Sequence, residues 1–174
     1  MAIDFEIYPS SLIKDVWIIK PSVAYDIRGN IWTSFEKSKI ESLLKNNVVF
    51  KHDKFSYSHK NVIRGIHSDN KSWKLITCVY GEIFQVVVDL RPESDTYFKY
   101  ESFYISKNNQ ILILIPPYLG NAYGVISNEA VYHYKLAYEG EYVDADQQFT
   151  VKWNDPRIGI KWPIENPILS ERDK

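Results

Sequence analysis

The chain has 174 residues, 45% of them hydrophobic and 25% charged, a balance that suits a soluble globular protein with a sizeable core. A net charge of −1 argues against the basic face of a phosphate-coating nucleic-acid binder, while leaving room for a small basic pocket. The first residues lack the basic start and apolar core of a signal peptide, and the longest apolar run, 111–117, is too short to span a bilayer. No membrane, no nucleic acid and a cytoplasmic location are the expectation.

Short strand-like segments separated by turn residues set the rhythm. Residues 16–19 predict an early strand, 26–30 a turn and 31–35 a second strand. Residues 38–45 form the only credible helix, with Ile40, Leu43 and Leu44 on one face. Further strands are predicted over 48–55, 62–67, 74–79, 83–89, 97–105, 110–115, 122–126 and 131–137. Many strands and almost no helix predict an all-β sandwich or barrel rather than a parallel α/β sheet. The lone Cys78 sits in an apolar run and reads as core, compatible with a reducing compartment. No linker or repeat divides the chain, so 1–174 is expected to be one domain. Its last part, about 143–174, is expected to wrap the body as an extended, turn-rich segment. A polar end such as Leu169-Ser-Glu-Arg-Asp173 ordinarily frays.

The stretch Arg64-Gly65-Ile66-His67, followed by Lys74-Leu75, places a proton carrier beside cations. An imidazole titrates near neutrality, at about 6.5, and a neighbouring lysine stabilises a developing oxyanion; together they suit enolate chemistry. A lone histidine is more often structural, and strand alternation separates Arg64 from His67 unless a bend intervenes. A metal centre of cupin type needs two histidines one residue apart, a carboxylate and a later histidine. His67 is followed by Ser68-Asp69 and 116–124 holds no histidine, so the ligand count fails and no metal is expected. Tyr132 and Tyr134 should share one face of their strand and His133 the other. They read either as packed core or as a phenol poised to donate a proton. Arg28, Arg64 and Arg91 stand near turns or strand ends, where a guanidinium serves solubility or clamps a diphosphate.

Taken in order, Asp26-Ile-Arg28-Gly29, Asn61-Val-Ile-Arg64-Gly-Ile-His67, Lys74-Leu75, Gly81-Glu-Ile-Phe84, Val86-Val-Val-Asp-Leu-Arg91, Tyr134-Lys135, Trp153-Asn-Asp155, Ile160-Lys-Trp-Pro163 and Leu169-Ser-Glu-Arg-Asp173 resemble the dTDP-4-dehydrorhamnose 3,5-epimerase family. The resemblance runs from about Val16 to Asp173. It implies a cupin-like jelly-roll β-sandwich, no cofactor, and a homodimer that exchanges N-terminal strands. It also implies inversion at C3 and C5, or at C3 alone, of a nucleoside-diphosphate 4-keto-6-deoxy sugar. Carried over residue by residue, His67 is the base, Asp173 its carboxylate partner, Lys74 the cation near the C4 oxygen and Tyr134 the proton donor on the other face. Arg28 and Arg64 match positions that hold the diphosphate and nucleoside.

This chain departs from the family pattern in three places. Ser72-Trp73 stands where Gln-Gly usually precedes the lysine. Asn121 stands where a histidine would be. Thr33, His52 and Lys54 replace a glutamate, a glutamine and an asparagine at nucleoside-binding positions. These changes, with the Gly120-Asn121-Ala-Tyr123 form, suggest a GDP-linked 4-keto-heptose of capsular polysaccharide synthesis. The alternatives are dTDP-4-dehydrorhamnose, a related 3,4-ketoisomerase activity, or a non-catalytic sugar-binding cupin.

Overall fold

The computed structural model describes residues 3–45 and 48–174. Among them, the strands run in chain order as β1 (Phe5–Pro9), β2 (Trp17–Pro21), β3 (Val23–Asp26), β4 (Gly29–Trp32), β5 (Phe50–His59), β6 (Ile63–Ser68), β7 (Trp73–Tyr80), β8 (Glu82–Asp89), β9 (Tyr100–Ser106), β10 (Leu112–Ile115), β11 (Leu119–Val125), β12 (Glu129–Ala137) and β13 (Phe149–Thr150). They build a six-stranded antiparallel sheet, β1-β2-β10-β7-β12-β5, and a five-stranded one, β13-β6-β11-β8-β9; β3 and β4 form a separate hairpin. This is the all-β, cupin-like sandwich that the resemblance implied.

The inner faces meet through Ile76, Cys78 and Ile113 from one sheet and Ile83, Val87 and Tyr123 from the other. Outside the six-stranded sheet, Trp73, Leu75 and Leu114 pack against Ile40. Outside the five-stranded sheet, Phe84, Val86 and Val88 are covered by Ile158 and Trp162 of the C-terminal segment. Strands covered on both faces lose the polar alternation of a half-exposed strand, which is why β7 and β8 read as nearly continuous apolar runs. The C-terminal segment therefore does not fray. Ile168 bridges Val62, and a 3-10 turn over Glu171–Asp173 leaves Asp173 buried.

Three expectations need correcting. The helix α1 spans only Lys37–Glu41, capped by Glu36 accepting from the Ser38 and Lys39 N–H groups. Beyond it, Leu43 and Leu44 donate to the carbonyls three residues back, and Ser42 Oγ donates to Lys39 O at 2.6 Å, so the chain tightens instead of continuing. Ile40, Leu43 and Leu44 nevertheless share the core-facing side. The strand expected over 31–35 stops at Trp32, where β4 closes a hairpin with β3 that has Ile27 and Arg28 at its tip. The edge strands β1 and β13 were not anticipated. No helix among the described residues is long and apolar enough to cross a membrane.

Asp89 ends β8 with its carboxylate fully buried, accepting from Arg91, Ser94 and Thr96 side chains at 2.7–2.9 Å and from the Arg91 N–H at 3.0 Å. Burial alone would raise its pKa, but these donors outweigh it and hold the carboxyl down at about 2. A depressed carboxylate stabilises the fold above its unfolded pKa, near 3.9, and loses that contribution as pH falls through the folded value. Asp89→Asn should therefore cost about 2 kcal/mol in urea unfolding at pH 7. The difference from the native chain should shrink as the pH drops from 4 toward 2; an equal gap at both ends would contradict the assignment.

Candidate active site

A cavity of about 270 Å³ opens between the two sheets. Its walls follow from register. On the six-stranded sheet, Tyr134 lies opposite Lys54 of β5 and Ile76 of β7, and Lys74 lies opposite Leu136. Alternation then turns Lys54, Lys74, Tyr132 and Tyr134 inward and sends His133 outward, where it pairs with Asp53 at 2.7 Å. On the five-stranded sheet, His67 faces Asn121, and Arg64 faces Tyr123. Three residues of β6 thus span two of β11, a bulge that brings both Arg64 and His67 into the cavity. That bulge is the bend that simple alternation lacked.

Gly65 makes the bulge feasible. Its φ is +118°, and a Cβ there would lie 2.6 Å from both Ala122 Cβ and Asn121 O. Gly65→Ala should push β6 away from β11, costing about 1–3 kcal/mol of stability and lowering turnover about 100-fold through misplacement of His67. A melt combined with steady-state kinetics checks both; native-like values for each would refute the packing argument.

His67 Nε2 meets Asp173 Oδ1 at 2.6 Å, and Ser170 Oγ donates to the other oxygen at 2.8 Å. Burial pushes the Asp173 carboxyl up, but the His67 and Ser170 hydrogen bonds prevail and hold it below the usual range. An ionised acceptor on one ring nitrogen fixes the tautomer, leaving Nδ1 as the nitrogen able to take a proton, and stabilises the imidazolium. Across the cavity, Lys74 Nζ donates to Asp69 Oδ2 at 2.9 Å, both side chains being buried. Asp69 also accepts from the backbone N–H groups of Ser72 and Lys71. Burial raises its pKa as well, yet Lys74 and these N–H groups leave it lowered. Tyr134 is half-buried; desolvation raises its phenol, which Lys54 and Arg64 only partly offset, so it remains a proton donor at neutral pH.

Of the other expected substrate-binding residues, Arg64, Lys54 and Asn121 line the same cavity. Arg64 Nε donates to Ser58 Oγ at 3.0 Å, and Lys54 Nζ sits 4.1 Å from the centre of the Tyr142 ring. Arg28, His52 and Thr33 do not line it. Arg28 projects from the β3–β4 tip, its side chain 86% exposed and paired with Asp26. His52 Nδ1 contacts Tyr138 OH at 3.0 Å and packs edge-on against Tyr142, beside the cavity's rim. Thr33 follows β4, on the chain leading away from that hairpin. Asp69, Ser170, Arg172, Gln148 and Gln85 were missed. Asp69 had a readable signal: an aspartate two and three residues before two donating N–H groups, and five before a lysine.

A base held by a carboxylate, a buried lysine and a phenol on facing sheets of a cupin-like sandwich are the parts of a proton-exchange enzyme acting next to a carbonyl. The family profile of dTDP-4-dehydrorhamnose 3,5-epimerase matches residues 10–174. A dTDP-4-dehydrorhamnose 3,5-epimerase of Shigella flexneri is 35% identical over 164 residues, covering 92% of this chain and 89% of the relative. One from Escherichia coli K12 is 36% identical over 166 residues, covering 93% and 88%. The crystal structure of a dTDP-6-deoxy-D-glucose-3,5-epimerase from Legionella pneumophila, in complex with dTDP-4-keto-L-rhamnose, superposes with a TM-score of 0.88. That protein is 31% identical, and the match covers 98% of this chain and 90% of the other. The chain belongs to the dTDP-4-dehydrorhamnose 3,5-epimerase family, and it is an isomerase-class enzyme, a nucleotide-sugar epimerase.

Proposed function

We propose that the enzyme inverts C3 and C5 of a dTDP-linked 4-keto-6-deoxyhexose, and that His67, Asp173, Lys74 and Tyr134 carry the reaction. His67 removes the proton alpha to the ketone, electrons flow to the C4 oxygen, and Lys74 stabilises the resulting enolate. Tyr134, on the opposite sheet, returns a proton to the other face of the same carbon. Once solvent has taken the proton from the imidazolium and returned one to the phenolate, repetition at the second alpha carbon gives the doubly inverted product. The observation that carries this reading is that the His67–Asp173 pair, Lys74 (held from behind by Asp69) and Tyr134 border one cavity from two facing walls.

The GDP-linked heptose suggested by the departures at Asn121, Ser72-Trp73, Thr33, His52 and Lys54 gives way to the dTDP sugar. Relatives similar along nearly the whole chain carry dTDP-4-dehydrorhamnose in their names, and a similar fold holds dTDP-4-keto-L-rhamnose. Incubating the enzyme in D2O separately with dTDP-4-keto-6-deoxyglucose and a GDP-linked 4-keto-heptose tests this. Deuterium at C3 and C5 of the dTDP sugar alone is the expected result. Label at C3 only would make it a single-site epimerase, movement of the ketone to C3 a ketoisomerase, and preference for the GDP sugar would restore the heptose reading.

We also propose a cytoplasmic homodimer with exchanged N-terminal strands. The β3–β4 hairpin exposes Tyr25 (69%), Ile27 (105%) and Ile31 (69%) around Arg28, an apolar tip suited to burial against a second copy. There Arg28 would reach a nucleotide in the partner's cavity, which accounts for its distance from its own. Light scattering that finds a monomer at micromolar concentration would remove this part. Cys78, buried and with its thiol pushed up to about 11, is in keeping with a reducing compartment.

A further inference from the structure

Beneath the cavity wall formed by Asn121 lies a polar network in an otherwise apolar core. Gln85 is fully buried, and its Nε2 donates to the backbone carbonyl of Val86 at 2.9 Å and to Asn121 Oδ1 at 2.7 Å. The Tyr132 hydroxyl, also buried, is shared between Gln85 Oε1 at 3.1 Å and Asn121 Oδ1 at 3.2 Å. A backbone carbonyl only accepts, so the Val86 contact fixes which end of the Gln85 amide is nitrogen. That choice forces the Asn121 oxygen inward, where two donors already meet it. Burial holds the Tyr132 phenol well above its ordinary pKa, so it stays a donor at every working pH. Among the described residues, no protein group accepts from Asn121 Nδ2, and Asn121 lines the cavity directly across the β6–β11 ladder from His67.

We propose that Gln85 and Tyr132 are positioning residues that lock the Asn121 amide with only its N–H groups toward the sugar, making it a specificity-determining donor. This deepens the epimerase reading and rests on it. The wall recognises an accepting oxygen, a hydroxyl or carbonyl on a sugar carbon adjoining the one that His67 serves. Because the whole network is neutral, its hydrogen-bonding direction does not change with pH, whereas an ionisable side chain at 121 would reverse or lose its donor role as it titrates. A sugar lacking an oxygen at that place leaves the amide unpaired and binds poorly, which is how a polar site rejects a deoxy analogue.

The test is a kinetic cycle with dTDP-4-keto-6-deoxyglucose. Asn121→Asp keeps the shape but turns a donor into an acceptor and should raise KM about 100-fold, with a smaller change in kcat. Tyr132→Phe removes one of the two donors that hold the amide and should raise KM several-fold while kcat stays within about twofold. Introduced into Asn121→Ala, Tyr132→Phe should add no further loss, since the group it orients is gone. Thermal melts establish that each variant is folded, and Tyr132→Phe, a near-isosteric change, suffices if Asn121→Ala is not. Additive losses, or a Tyr132→Phe effect confined to kcat, would overturn the positioning role alone. A native enzyme that does not turn over the dTDP sugar would overturn the underlying function instead.

Discussion

His67→Asn is expected to abolish epimerisation, lowering kcat/KM by about 10³–10⁴-fold, the range by which a positioned general base accelerates proton transfer. Both alpha protons should stop exchanging with D2O, because neither carbon then has a base within reach. The fold should survive. His67 keeps 24% of its side chain exposed and, among the described residues, its ring pairs with Asp173, toward which an asparagine amide at 67 can still donate. Proton NMR in D2O reads the exchange and a thermal melt reads the fold; exchange at the native rate would end the assignment. The pH dependence constrains the role of the carboxylate partner of His67. Asp173 is held below the ordinary carboxylate range, so it remains ionised through the acid side of any working window. The sign follows: a depressed carboxylate keeps its pairing above its unfolded pKa, about 3.9, and gives it up only as pH falls through the lower folded value. Loss of activity at a higher pH than that must then arise from some group other than the Asp173 carboxylate.

Tyr134→Phe should act differently, since in the proposed mechanism the phenol returns a proton and does not remove one. Solvent exchange at the first carbon should outlast inversion. This asymmetry distinguishes a two-wall mechanism from one in which His67 both takes and returns the proton on a single face.

How far the sequence revealed these features depended on whether a residue's partners lay near it in the chain. The central strands were legible because β7, β8, β10 and β12 are dense in β-branched and aromatic residues and end at turn residues such as Gly81. The edge strands β1 and β13, five and two residues long, exist because a neighbour offers them a ladder. Although which side faces the cavity required the sheet, that Tyr134 and His133 face opposite sides followed from alternation alone. That Arg64 and His67 face the same cavity did not, because it depends on a bulge opposite Asn121 and Tyr123, more than fifty residues away. The Asp173 pairing bridges 106 positions and was available only through family resemblance. Gln85 is a polar residue within an apolar strand and gives no local sign of its role. Its role emerges once β8 lies beside β11, where Asn121 gives its side chain a partner.

Lys74→Met is expected to lower kcat by about 10²–10³-fold, as removal of a preorganised oxyanion stabiliser does. It should also weaken the fold, by about 3–5 kcal/mol, since it strands the buried Asp69 charge without its counter-ion. Those two losses have different origins and a second substitution separates them. Asp69→Asn, added to Lys74→Met, removes the uncompensated charge while its amide oxygen still accepts from the Lys71 and Ser72 N–H groups. Most of the lost stability should return in urea unfolding, whereas turnover should stay as low as in Lys74→Met. Asp69→Asn alone frees the lysine from its carboxylate and should disturb kcat more than KM, because Lys74 meets its full negative charge only at the enolate. If the double variant regained both stability and activity, Lys74 would be a structural ion-pair partner, and stabilisation of the enolate oxygen would have to come from another donor that lines the cavity, such as Arg64, Lys54 or the Asn121 amide.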